Sequence, residues 1–264
     1  MLKGAIHTHS TYSDGEFTLS ELREVFLAVG CEFVCLTDHA EFFDRDALEA
    51  YTAECQRLSD DQFRFIAGLE YSCERRMHIL GLGVTSPVNT TDPQAVIRHI
   101  ENCGGVSIIA HPMDSAFSWI ESFDTLPTGI ETWNSKYDGR YAPRPATFAL
   151  LKRLQTREAS LRAFYGQDLH WKNQYRGLFN IVRRQSPSRE EILSAFKNGD
   201  YFALKDEMEL PSSGDLPSEL IESFRRKNNR SAQRRQLLKR AKKAMDRLGF
   251  KVPAPVKAQL RRIF

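Results

Sequence analysis

Two pairs of side chains able to bind metal ions or move protons, His7-Thr8-His9 and Asp168-Leu169-His170, lie near opposite ends of the first 170 residues. A spacing of two puts both members on one face of a β-strand, so each pair can hold one ion from one side. Asp14 follows the first pair in Ser13-Asp14-Gly15, where the bland alternative is a turn residue. His39 closes the apolar run 33–39, Glu70 follows the run 65–69, and His111 closes the run 106–111. His78 opens the run 78–83, where it could instead be a hydrogen-bonded wall residue. Of the seven histidines only His99 lacks such a context. It falls in a segment that starts like a helix, with Asp92 as N-cap and Pro93 in the first turn, and is expected at the surface. Imidazoles and carboxylates gathered around open coordination positions lower the pKa of bound water and clamp an oxyanion, so phosphate ester hydrolysis is their natural use. No competing nucleophile is evident: the chain has no Gly-x-Ser-x-Gly elbow, no Walker-type loop and no Cys-x-x-Cys.

These residues need a scaffold that delivers them to one place. Each apolar run is short and bounded by Gly or Pro, as expected of strands buried on both faces in a parallel sheet. Most of the candidate ligands then sit at strand C-terminal ends, where α/β barrels concentrate their chemistry. The first and last strands of one sheet are expected to converge on a shared site.

The order His-x-His with Ser-Asp-Gly, then Thr-Asp-His, Gly-x-Glu, His, Ala-His-Pro and Gly-x-Asp-x-His resembles the PHP superfamily, named for polymerase and histidinol phosphatase, over roughly residues 1 to 206. The resemblance implies an α/β fold, a distorted (βα)7 TIM-like barrel, with three divalent ions in its pocket. It assigns His7, His9, Glu70 and Asp168 to a first ion, Glu70, His78 and His111 to a second, and Asp14, His39 and His170 to a third. All nine positions are filled. Glu70 suits a bridging role because one carboxylate offers two oxygens, and paired catalytic ions stand ~3.5–4 Å apart. Asp38 is expected behind the ligands, accepting the free ring N–H of a neighbouring histidine. Glu70, Asp168, His111 and Asp38 are thus the expected catalytic residues. The ligand types suit Mn²⁺, Zn²⁺ or Fe²⁺, two to three per chain.

A phosphate-bearing substrate also needs cations to orient it. The strand expected at residues 129–134 leads into a polar loop, and Lys136, Arg140, Arg144, Lys172 and Arg176 are the candidates. The 32 residues between His78 and His111 leave no room for the long helical insertion of nucleic-acid-degrading relatives, which favours a phosphomonoester over a phosphodiesterase or exonuclease activity.

Composition divides the chain in two. Residues 1–206 carry 22 Lys and Arg against 28 Asp and Glu, a net of −6, whereas residues 207–264 carry 15 against 6, a net of +9. The first is expected to be the hydrolase barrel and the second a basic, mostly helical extension, with a linker at 211–217 and a helical break near Asn228-Asn229. Leu220, Phe224, Leu237, Leu238, Ala241, Met245 and Leu248 fall near helical spacing on it. This stripe could pack on the barrel or a neighbouring subunit, lie on an anionic membrane, or leave its cations to nucleic acid. In a wholly different reading the barrel is only a scaffold and the tail the functional part. Five cysteines without paired spacing read as reduced thiols, and no stretch is apolar enough to span a bilayer. With the first strand starting near residue 3 there is no room for a signal peptide, so the expected location is the cytoplasm, with the inner membrane face open through the tail. The expected substrate is a phosphorylated small molecule, or a lipid-linked one if the tail meets membrane.

Overall fold

A computed structural model describes residues 1–247. The chain is α/β, and among the described residues twelve strands fall into two six-stranded mixed sheets. They are β1 (Leu2–Thr8), β2 (Phe33–Leu36), β3 (Asp38–His39), β4 (Arg64–Ile66), β5 (Leu69–Ser72), β6 (His78–Leu82), β7 (Val106–Ala110), β8 (Gly129–Asn134), β9 (Arg162–Gly166), β10 (Leu178–Val182), β11 (Tyr201–Lys205) and β12 (Met208–Pro211). The helices are α1 (Leu19–Leu27), α2 (Arg45–Arg57), α3 (Pro93–Asn102), α4 (Phe117–Glu121), α5 (Pro145–Gln155), α6 (Arg189–Asn198) and α7 (Ser218–Arg247).

The first sheet has the order β12-β11-β10-β1-β2-β4 and the second β3-β5-β6-β7-β8-β9. Their ladders do not close into one barrel of parallel strands. β6 runs antiparallel to both β5 and β7, and β10 antiparallel to β1; between Ser72 and His78 the link from β5 to β6 is too short for a helical crossover. The sheets meet along a seam. There His9 N–H donates to Leu169 O (3.0 Å), Leu169 N–H to His7 O (3.2 Å) and Gln167 N–H to Ile6 O (3.1 Å). The two chelating pairs thus converge as expected, but from different sheets rather than from the two ends of one.

Local sequence explains the elements. Thr18 and Glu21 form a capping box at the start of α1, with Glu21 N–H donating to Thr18 Oγ1 and Thr18 N–H to Glu21 Oε2. Asp92 caps α3 ahead of Pro93, as expected, and His99 on that helix is half-buried, 2.8 Å from Ser86 Oγ. The strands are almost wholly buried, and between them and the helices lies a core that includes Phe26, Val34, Leu36, Tyr51, Phe63 and Leu169. Burial at this scale supplies the main driving force for the fold.

The compact first unit runs from Met1 to Leu216, and the β11–β12 hairpin spans the 206/207 position where the composition changes. In the second unit α7 continues unbroken from Ser218 to Arg247, so the break expected near Asn228-Asn229 is absent. Asparagine is only mildly unfavourable in a helix, and no Gly or Pro lies within this run of Arg, Lys, Gln, Leu and Ala. Leu248, assigned to the apolar stripe, lies outside the described residues. No described helix is long and apolar enough to cross a membrane.

Candidate metal centre

Glu70 in β5 is the hub. Its Oε1 lies 2.7 Å from His78 Nδ1 and 3.3 Å from His111 Nε2. Its Oε2 lies 3.2 Å from His7 Nε2 and 3.1 Å from His9 Nε2. One carboxylate therefore faces two sets of imidazoles, the disposition expected of a bridge. Asp168 Oδ1 stands 3.1 Å from His170 Nδ1 and 3.8 Å from His7 Nε2. Asp14 completes the outer edge, with Oδ2 3.3 Å from His170 Nε2 and Oδ1 3.8 Å from His39 Nε2.

All nine candidate ligands come together. Their donor atoms form four overlapping groups, His9-Asp14-His39-His170, His7-His9-Asp168, His7-Glu70-His111 and His39-Glu70-His78, each with its atoms within 4.8 Å of one another. Two donors on one small cation at ~2.1 Å stand about 3.4 Å apart in tetrahedral geometry. The observed separations lie around that value.

A divalent ion fits this donor set on a second observation. Both ring nitrogens of fully buried His9, and Nδ1 of His39, make no hydrogen bond. Buried polar atoms are almost always satisfied, and ring nitrogens beside carboxylates with no hydrogen bond of their own have an obvious partner in a shared cation.

Electrostatics agree. Burial alone would push both carboxyl groups up, yet the neighbouring His7, His111 and His78 hold Glu70 well below the usual range. His7, His170 and Lys136 do the same for Asp168. Burial draws the His9 imidazole down to about 4, leaving it a neutral donor at physiological pH.

The strand geometry differs from the sequence expectation at one point. β1 and β2 shift register between Ala5 and Thr8, His7 has a left-handed backbone (φ 59°), and His9 lies just past the end of the strand. The two rings still approach to 5.3 Å between centroids, so it is a bulge rather than regular alternation that aims them. His78 opens β6, but that strand's antiparallel direction places it opposite Ala110, at the end of β7 beside His111.

Asp38 does not accept from a histidine. Its carboxylate accepts from Ser10 N–H (2.8 Å), Ser10 Oγ and Ser13 Oγ (2.7 Å), and so fixes the loop that carries Asp14. The carboxylate that does meet a ligand ring is Glu131 on β8, which sequence reasoning missed. Its Oε1 lies 2.7 Å from His7 Nδ1. The signal was there, a lone acid inside the apolar strand Gly129–Asn134.

The five candidate cations divide. Lys136 enters the centre, its Nζ 3.0 Å from Asp168 Oδ1 and 3.2 Å from His170 Nε2. Arg140 is exposed beside Tyr141. Arg176 donates to Ser135 O, and burial together with the charge of Arg140 lowers its pKa. Arg144 is committed to Asp138, Asp114 and Pro112 O, and Lys172 to Glu21, so both brace loops rather than await an anion.

Three exposed aromatic rings lie beside the centre: Phe42 6.2 Å from the His39 ring, Tyr137 4.5 Å from His111 and Trp171 5.7 Å from His170, all between centroids.

A model of the PHP domain matches residues 5–250. Among curated proteins, DNA polymerase/3'-5' exonuclease PolX of Bacillus subtilis (strain 168) is 29% identical over 77 residues, which is 26% of this chain and 14% of that protein's length. Three solved structures share the fold. A two-domain protein containing a predicted PHP-like metal-dependent phosphoesterase, from Bacteroides vulgatus ATCC 8482, gives a TM-score of 0.58 at 17% identity, covering 84% of this chain and 68% of that one. PsfC from Pseudomonas syringae PB-5123 gives 0.54 at 12% identity, covering 86% and 98%. An amidohydrolase from Chromobacterium violaceum, with bound sulfate and no metal, gives 0.51 at 16% identity, covering 76% and 97%.

Proposed function

From the premise that this chain belongs to the PHP domain family, we propose that it is a phosphoric ester hydrolase dependent on two to three divalent ions, Mn²⁺, Zn²⁺ or Fe²⁺, with a phosphomonoester as the favoured substrate. The observation that carries the reading is the convergence of nine imidazole and carboxylate side chains in four overlapping groups, with the buried His9 ring left without a hydrogen bond. His7, His9, Asp14, His39, Glu70, His78, His111, Asp168 and His170 would hold the ions. When bound, such ions supply Lewis acidity toward phosphoryl oxygens and activate water at neutral pH. The chain's own contribution is orientation and charge. Glu70 and Asp168 stay ionised in a buried setting, His9 stays neutral, and Lys136 holds a positive charge at the rim of Asp168 where a phosphoryl oxygen could be met. In this reading the two sheets are an opened form of the distorted seven-stranded barrel.

A second reading, a phosphodiesterase or exonuclease acting on nucleotides or nucleic acid, is favoured by the exposed rings of Phe42, Tyr137 and Trp171, since bases stack on such rings. The local similarity to PolX points the same way. Residues 207–264, as a basic extension, would bring the enzyme to an anionic membrane surface or to nucleic acid, consistent with a cytoplasmic enzyme that visits the inner membrane face.

The test is elemental mass spectrometry of protein purified without chelator, with hydrolysis of an aryl phosphate monoester and diester on the same sample after Mn²⁺ or Zn²⁺ addition. Two to three ions per chain, with turnover abolished in Glu70→Gln, is the expected result. A metal-free and inactive protein would leave the scaffold reading, in which deletion of 207–264 removes binding to anionic vesicles or RNA.

A further inference from the structure

We infer that Glu131 is the positioning residue that holds three strained members of the centre, His7, His111 and Asp168, in place. The inference rests on the metal-dependent reading above.

Glu131 is 1% exposed, and a carboxylate cannot be buried on a strand without compensating partners. Each of its partners leads to a different candidate ligand. Oε1 meets His7 Nδ1 at 2.7 Å. Oε2 accepts from the backbone N–H of His111 at 2.8 Å and from Asn134 Nδ2 at 2.9 Å. Asn134 Nδ2 donates in turn to Asp168 Oδ2 at 3.0 Å.

The residues reached this way share a second property. His7 (φ 59°), His111 (φ 29°) and Asp168 (φ 51°) are three of the six non-glycine residues with left-handed backbones among the described residues. Side chains other than glycine adopt that region only when the surroundings enforce it, and such strain collects at functional sites. Here one carboxylate, directly or through Asn134, enforces all three.

The neighbouring strand is shaped to admit it. A Cβ on Gly166 would lie 1.8 Å from Glu131 Oε1, so only glycine leaves the carboxylate its place.

The contact also fixes the His7 tautomer. With Nδ1 donating to Glu131, Nε2, which faces Glu70 and Asp168, is the ring nitrogen left for an ion to take. Glutamine cannot reproduce this. Its amide has one acceptor oxygen, and its NH₂ would face either the N–H of His111 and the Asn134 amide or the His7 ring. In the last case the ring proton moves to Nε2 and the lone pair is lost to the centre.

The experiment compares full-length wild type with Glu131→Gln by competition for Zn²⁺ and Mn²⁺ against a chromophoric chelator, with far-ultraviolet circular dichroism melts of the metal-free proteins. The expected result is a native fold with about 10- to 100-fold weaker metal affinity. Equal affinity in the two proteins overturns the inference, whereas a wild type that binds no metal overturns the metal-dependent reading itself. Should the variant fail to fold, ¹⁵N histidine spectra of zinc-loaded wild type decide. A proton on His7 Nδ1 supports the tether, and a proton on Nε2 overturns it.

Discussion

Lys136 Nζ stands 3.0 Å from Asp168 Oδ1, with the rings of Tyr137 and Trp171 at 5.5 and 5.6 Å on its flanks. This is the one candidate cation that reaches the centre. Replacing it with methionine keeps much of the stem and removes the charge. A charge-assisted contact to a phosphoryl oxygen is worth about 1.5–3 kcal/mol, so Lys136→Met should lower kcat/KM about 10- to 100-fold without loss of bound metal. Steady-state kinetics on metal-quantified protein checks this, and an unchanged kcat/KM would remove Lys136 from substrate binding.

The flanking rings give a specificity prediction. Tyr137→Ala and Trp171→Ala should each raise KM for a phosphate ester bearing a planar ring by about 2- to 10-fold, from a ring contact of ~0.5–1.5 kcal/mol. Glycerol phosphate should be turned over by the variants as by wild type. If both substrates suffer equally, the rings support the fold of the rim and not the substrate.

Gly166→Ala should destabilise the protein by about 1–3 kcal/mol, the usual effect of forcing extra volume into a packed interior. The cause is the collision of the new methyl group with Glu131. A thermal melt should show Tm lower by several degrees, and an unchanged Tm would mean that β8 and β9 yield freely at this point.

The thiols make a prediction about pH. Cys31, Cys35, Cys55 and Cys73 are buried and Cys103 is exposed. Burial pushes the thiols of Cys31 and Cys73 up to about 12, so they stay protonated and unreactive between pH 7 and 9. A chromogenic disulfide reagent should titrate one thiol per native chain throughout that range and all five after denaturation. More than one fast thiol at pH 7 would show that the packing around at least one of the buried cysteines opens readily.

Chelation should act on stability as well as on turnover. Ligands bound only by the folded chain stabilise it by mass action, ~2.7 kcal/mol at a hundredfold excess over Kd. Extensive dialysis against a chelator should therefore lower Tm, and Mn²⁺ or Zn²⁺ should restore it. A Tm indifferent to both ions would argue against binding at the centre.

Much of this was legible in the residues. The apolar runs that end at His39 and His111, and the run ahead of Glu70, all lie in or beside strands, and all nine candidate ligands meet. What escaped was set by partners distant in sequence. Nothing in His78-Ile79-Leu80-Gly81-Leu82 states that β6 is antiparallel, because an inner strand is apolar whichever way it runs. The bulge at His7 arises from the seam with residues 167–169, some 160 positions away. Glu131 passes unnoticed in an apolar strand because two of its partners, His7 and His111, come from distant segments. Asp38 was misplaced for the opposite reason: adjacency to His39 suggested an imidazole, whereas the carboxylate turns back to Ser10 and Ser13.

The seam carries one further consequence. His7 and His9 belong to the end of β1, while Glu70, His78 and His111 belong to the other sheet, and backbone hydrogen bonds from residues 6–9 to residues 167–169 join the two there. An ion bound there would clasp the two sheets together, and its binding would be linked to the closure of the seam. A chain starved of ions would breathe first at the amides of His9, Gln167 and Leu169, so their hydrogen-exchange rates would gauge the ion supply that the protein meets.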